Sequence, residues 1–384
     1  MESIPLCPHR PTCPGCPRFG ATDVAPNAYG LLGTLASETG ADLARPLLGK
    51  RSAFRVRARL AVRGRSASPK IGIFQEGSHR IADIPRCPIH HPTINTVGTA
   101  LRAAIRETKV RPYADAPHVG DLRYVQIVIE RGSGRALLTL VGNHETPERL
   151  TPLCTSLKKR LGDELLGVWW NGNPARGNTI LGPHWEHLWG AREIVEKIGG
   201  APVCFPPWAF GQSNLDLADE LVAYVHALTE RAQVVAEFHA GVGAIGLGIL
   251  ARGARVRANE ISTEALDSMT RAAALQGPEA ASRLETMAGT AGAAVAILGG
   301  VEGIEMVDVA VLDPPRRGLD AALLQGLIDH PPPQLVYVAC GTPALINDIH
   351  KLVASGRWKV ETLQPFDLFP FTEHVETVAT LRRV

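Results

Sequence analysis

The 384-residue sequence contains no run of about 18 apolar residues, which excludes a membrane-spanning helix. Its opening, MESIPLCPHRPTC, has no apolar segment behind a basic start, so no secretory signal is expected and the cytoplasm is the expected compartment. One-signed charge is missing as well. Forty Lys and Arg against 38 Asp and Glu leave a net +2, which neither demands nor forbids a nucleic-acid partner. Aromatics are sparse at 5%, so any contact with nucleic acid should rest on phosphates and shape more than on stacking. No stretch repeats with a period of 20–50 residues, which excludes a solenoid or propeller.

Basic residues are plentiful in one place. KRSAFRVRARLAVRGRSASPK, from Lys50 to Lys70, holds eight and no acid. Arg55, Arg57 and Arg59 alternate with Phe54, Val56, Ala58 and Leu60. On a strand, period two puts the three arginines on one face, a cationic surface suited to RNA phosphates.

Cysteine is the second concentration. Cys7, Cys13 and Cys16 in Cys-x5-Cys-x2-Cys spacing, with a distant Cys87, offer four thiolates. In a reducing compartment such a set points to metal sooner than to disulfides, and spacing alone does not separate tetrahedral zinc from an iron–sulfur cube. Cys154 and Cys204 lack partners and are expected as core thiols.

Residues 1–90 carry the cysteines and basic strand, and 91–205 continue a mixed, mainly antiparallel α+β region, expected to form one domain with 1–90. From 206 to 384, strands alternate with helices of 10–15 residues, which predicts a doubly wound, mostly parallel α/β sheet. The two closing strands, WKVETLQPF and HVETVATLRR, lie close enough to form an antiparallel hairpin at one edge.

Three motifs carry chemistry. The strand–HAGVGAIG–helix unit has glycines at 241, 243 and 246, which let the backbone approach a ligand, and Glu260 ends the next strand where a carboxylate can grip ribose hydroxyls. That pairing suits NAD and S-adenosylmethionine equally. In VLDPPRRGLD, Asp313 follows an apolar strand and two prolines stiffen the loop, a pattern of methyltransferases and not of dehydrogenases. Cys340 ends the next strand at the same sheet edge, and QPFDLFPFTEHVETVATL brings Glu376 towards it. A thiol and a carboxylate on one cleft suit covalent activation of an aromatic ring followed by proton removal.

Taken together with FGQSN and GSHRIADIPRCPIHHP, and over nearly the whole length, these motifs make the chain resemble the RNA 5-methyluridine (uracil-C5) methyltransferases, in particular their iron–sulfur members. The resemblance implies a class I S-adenosylmethionine-dependent methyltransferase domain behind an RNA-binding and cluster region. It implies Cys340 as nucleophile, Glu376 as base, and Gln212, His239, Ala244, Glu260 and Asp313 at the cofactor. It further implies a [4Fe–4S] cluster on Cys7, Cys13, Cys16 and Cys87 in preference to zinc, and a monomer acting on ribosomal RNA, most simply 23S, before transfer RNA. Gly341-Thr342 stand where the family has Asn-Pro after the nucleophile, and Ala244 where it has a polar residue. An N-methyltransferase would need Asp313 but neither Cys340 nor Glu376. A cluster-bearing RNA-binding protein without catalysis is the alternative from another class.

Overall fold

The alternating segments of the first half pair into one seven-stranded sheet in a computed structural model that describes residues 6–300 and 305–384. Its strands run, edge to edge, Ile81–Asp83, Ser68–Phe74, Arg57–Arg65, Leu122–Ile129, Ala136–Gly142, Leu165–Gly172 and His184–Gly190. All neighbours are antiparallel except Ala136–Gly142 with Leu165–Gly172, which are parallel and connected through the helix Thr151–Leu161. A parallel pair needs such a crossover because a hairpin cannot return the chain in the same direction. Every residue of Leu122–Ile129 is buried, so the central strand is covered on both faces.

The second half builds an eight-stranded sheet in the order Asp42–Leu43, Trp358–Phe366, Glu376–Arg383, Gln334–Ala339, Val309–Leu312, Val234–Phe238, Arg255–Glu260, Leu284–Ala288. The pairs are parallel apart from the two made by Glu376–Arg383. Chain order runs outward in opposite directions from the Val234–Phe238/Val309–Leu312 pair. That is the switch point, and ligands of open α/β sheets bind beyond the strand ends there.

Two units therefore divide the chain, one of residues 1–17, 50–196 and 205–215, the other of 18–49, 197–204 and 216–384. Sequence patterning assigns 18–49 to the first region. It belongs to the second, because the helix Pro26–Thr39 places Leu32 and Leu35 in the same core as Leu352, Trp358 and Leu363. The expected closing hairpin forms, but the two-residue strand Asp42–Leu43 lies outside it at the edge. Among the described residues no helix is long and apolar enough to cross a membrane.

Candidate active site

The Gly-rich turn follows Val234–Phe238 at the switch point. His239 takes φ +60, a left-handed conformation that costs a non-glycine residue energy and is kept where the surroundings demand it. Gly241 (φ +56) donates its N–H to Glu260 Oε2 at 3.0 Å, while Ile261 and Ser262 donate to Oε1 at 2.8 and 3.0 Å. Glu260 is thus pinned at the strand end by three backbone donors. A Cβ on Gly241 would meet nothing within 4 Å, so the turn opens onto free space, with Ala244 half-buried inside it. Beneath it, a Cβ on Gly246 would stand 2.0 Å from Glu237 Oε2, so the glycine is needed for this close approach.

Glu237 is 2% exposed and its Oε2 has no partner; burial, with Asp313 and Glu260 nearby, pushes its carboxyl up to about 8. Burial and then Glu260 push Asp313 up to about 7. Burial lowers His239, against the pull of Glu260 and Asp320, and its Nε2 is buried without a partner. These orphaned polar atoms around an open turn are what a polar cofactor would satisfy.

One strand further along, Ala339 pairs with Thr377 in an antiparallel register, which sets Cys340 and Glu376 opposite each other just past the last pair. Glu376 is 1% exposed, with Oε2 unpartnered, and burial, then Asp313, raises its carboxyl well above the ordinary range while Arg316 opposes the shift. Cys340 is half-buried. Burial, then Glu376 and Asp313, push its thiol up, and Arg316 pulls it down. The chemistry open to this arrangement is thiolate addition coupled to proton removal.

The sequence model of the tRNA (Uracil-5-)-methyltransferase family matches residues 205–384. An uncharacterised RNA methyltransferase of Protochlamydia amoebophila is 33% identical over 98% of this chain and 97% of its own length. The chain belongs to the RNA 5-methyluridine methyltransferase family. It is an RNA methyltransferase of the uracil-5 type. A Geobacter sulfurreducens RNA methyltransferase is 31% identical over 98% of this chain and 77% of its own. Among solved structures, Pyrococcus abyssi tRNA (uracil-54, C5)-methyltransferase with S-adenosyl-L-homocysteine shares the fold, at TM-score 0.76 and 22% identity over 97% of this chain and 86% of that one.

Two residues of this methyltransferase escaped the sequence reading. Arg316, in the Asp-Pro-Pro loop, acts on both Cys340 and Glu376; its signal was a basic pair directly after the stiffened turn. Asp348, buried in the helix Thr342–Ala354, accepts from Tyr337 Oη at 2.9 Å and from Leu319 N at 2.8 Å, latching that loop to the strand that leads into Cys340. The Gly341 departure also has a reason. A Cβ there would sit 2.7 Å from the Arg316 carbonyl oxygen, so glycine lets the two loops touch backbone to backbone, and Pro343 still opens the following helix.

Gln212 lies in the first unit, lining a small cavity with Arg57, Glu196 and Phe205. The arginine row alternates as the pattern requires, yet it is not one free cationic face. Arg55 Nη1 donates to Ser213 Oγ at 3.2 Å and stands near Cys16 and Cys87, and Arg57 Nη1 donates to Ala209 O at 2.9 Å. Only Arg59 of the three is exposed. These side chains are drawn inward because the segment 205–215 crosses over them and offers carbonyl and hydroxyl acceptors.

Cys7, Cys13, Cys16 and Cys87 do share one neighbourhood. Burial, then Cys87, Cys13 and Cys7, push Cys16 up to about 12, and Arg55 offsets part of this. Among the described residues, however, no group of three or more His, Cys, Asp or Glu is arranged to hold a single metal ion. Cys154 and Cys204 are buried, as core thiols are.

Proposed function

We propose that the enzyme methylates C5 of a uridine in structured RNA through a covalent bond between Cys340 and C6 of the base. The observation that carries this is the register placing Cys340 opposite a buried Glu376 with an unpartnered oxygen. Glu260, His239, Asp313 and the backbone at Ala244 would hold S-adenosylmethionine. When bound, S-adenosylmethionine supplies an electrophilic methyl group at a sulfonium. Cys340 gives up its proton to solvent water as its sulfur bonds to C6, and the C5–C6 π electrons become available at C5. Arg316 favours the thiolate and the Glu376 carboxylate. Glu376 then takes the C5 proton, the C5–C6 double bond reforms and the thiolate leaves. The base must be unstacked to reach Cys340, which favours loops or flipped nucleotides.

The four N-terminal cysteines would carry a [4Fe–4S] cluster with a structural role. A zinc ion needs all its sulfurs about 2.3 Å from one point, whereas a cube binds each thiolate at a separate iron. A ribosomal RNA substrate is the reading favoured by this cysteine set. A transfer-RNA uridine is the second reading, favoured by the likeness to the Pyrococcus abyssi fold and by the family name.

The test is incubation with 5-fluorouridine-containing ribosomal and transfer RNA plus S-adenosylmethionine. Fluorine cannot leave as a proton, so a covalent RNA–protein band should accumulate on the true substrate and vanish in Cys340→Ala. Glu376→Gln should trap an adduct on ordinary RNA. No band with the unaltered enzyme, or an undiminished band in Cys340→Ala, would overturn the mechanism.

A further inference from the structure

The few aromatics of this chain are not scattered. Cross-strand partners run Arg59–Gln126–Thr139–Trp169–His187 through five adjacent strands of the first unit's sheet, and directly paired residues share a face. At about 4.8 Å per strand this row is about 19 Å long. Trp185 lies two residues from His187, hence on that face too. The Trp169 ring lies 6.4 Å from Trp185, 5.1 Å from His187 and 5.5 Å from Trp208, and Trp185 and Trp208 are 5.5 Å apart. Trp169 is the buried floor, fixed by an Nε1–H bond to the Arg192 carbonyl at 3.0 Å.

The segment carrying Trp208 is strapped across the face. Gln126 Nε2 donates to Pro207 O at 2.6 Å and Arg57 to Ala209 O at 2.9 Å, while Arg59 braces Gln126 at 2.6 Å. This clamp holds an indole in place that keeps 37% of its surface exposed although it touches two others. A rigid, half-exposed aromatic group on a sheet face is expected to serve a partner. The charge at the row's other end, an exposed Arg59, matches a phosphate chain.

Gln126 and Thr139 in the middle of the row are buried, so only its ends are open. We infer that these exposed ends form a stacking site for unpaired bases of the RNA: Trp185, Trp208 and His187 receive nucleobases while Arg59 meets the backbone phosphate. The inference rests on the substrate being RNA and adds where its single-stranded part is held. Because every base has a π-face, such a site is tolerant of sequence, and it would supply affinity without selecting the methylated uridine.

The probe is a short unpaired oligouridine RNA titrated against the whole enzyme and its Trp208→Ala, Trp185→Ala, Trp208→Phe and Arg59→Ala variants, with a fully paired RNA duplex as control. Trp208→Ala and Trp185→Ala should weaken oligouridine binding about 5- to 100-fold without changing the salt dependence. Trp208→Phe should keep most of the affinity, and Arg59→Ala should lower the salt slope by about one. Duplex binding should be unchanged in the tryptophan variants. Unchanged oligouridine affinity in both alanine variants overturns the inference, as does an equal loss on the duplex. So does self-association, seen by light scattering, that Trp208→Ala abolishes while RNA affinity holds, since the face would then bind a second copy. None of these readouts needs chemistry at Cys340. Normal binding by the variants with a normal 5-fluorouridine adduct removes this inference alone, and weakened binding without any adduct removes the catalytic reading alone.

Discussion

Replacing Glu237 with glutamine should flatten the pH dependence of stability of the second unit. Its carboxyl moves from an ordinary 4.5 to about 8, and the cause is burial first, with Asp313 and Glu260 adding to it. A raised acid keeps its proton in the folded chain at pH values where the unfolded chain has lost it. The folded state then binds more protons, and stability falls as pH rises from about 4.5 to 8. At about 1.4 kcal/mol per pH unit, the group costs the native enzyme about 3–4 kcal/mol between pH 5 and pH 8. Glutamine is the same size, can accept the Gly246 N–H that the carboxyl accepts, and has no proton to lose. Glu237→Gln should therefore match the native enzyme at pH 5 to within about 1 kcal/mol and exceed it by about 3 kcal/mol at pH 8. Urea unfolding at the two pH values is the assay, with hydrogen exchange of the Val234–Phe238 peptide identifying the transition of the second unit. Parallel stability–pH curves for the two proteins would refute the reasoning.

Arg316→Ala should shift the pH profile of adduct formation further to the alkaline side, because Cys340 and Glu376 both lose the cation that favours their ionised forms. Arg316→Lys should restore part of it, and an unmoved profile would remove Arg316 from the electrostatics of the site. Gly341→Ala should lower turnover about tenfold or more while leaving the melting temperature within a few degrees, since a Cβ 2.7 Å from the Arg316 carbonyl must push that loop away. Unchanged kinetics would show that the loop yields freely. Cys16→Ser should abolish iron incorporation in anaerobically prepared protein and lower the stability of the first unit. Full iron content by elemental analysis would exclude that cysteine as a ligand.

Much of the second unit was legible because its strands are continuous apolar runs that end on chemistry. VDVAVL stops at Asp313 and QLVYVA at Cys340, so the strand ends and the site coincide. Glu376 was legible from its motif, but its burial and its place opposite Cys340 come from a register that only tertiary pairing sets. Arg316 and Asp348 were missed for the same reason. Asp348 lies in an amphipathic helix where a polar residue ordinarily faces water, and it is instead turned onto Tyr337. In the first unit the period-two pattern placed a strand over FRVRARLAV; the strand that forms is Arg57–Arg65, and Arg55 lies before it in an isolated bridge. The pattern did not say that a later segment would cover the arginines. The low aromatic content likewise did not say where the aromatics gather: three of the six tryptophans meet only through tertiary packing.

The early segment 18–49 has a consequence for how the molecule is made. Val24, Ala28, Leu32 and Leu35 leave the ribosome first, yet the core that receives them is supplied by residues after 216. At about 5–20 residues per second, the helix waits roughly 20–70 s for its partners. During that wait the intervening sheet can close on its own, and the methyltransferase sheet can acquire its helix and edge strand only after synthesis is nearly complete. A fragment cut at the apparent boundary near residue 206 would lack both, and would present the vacated apolar surface to water.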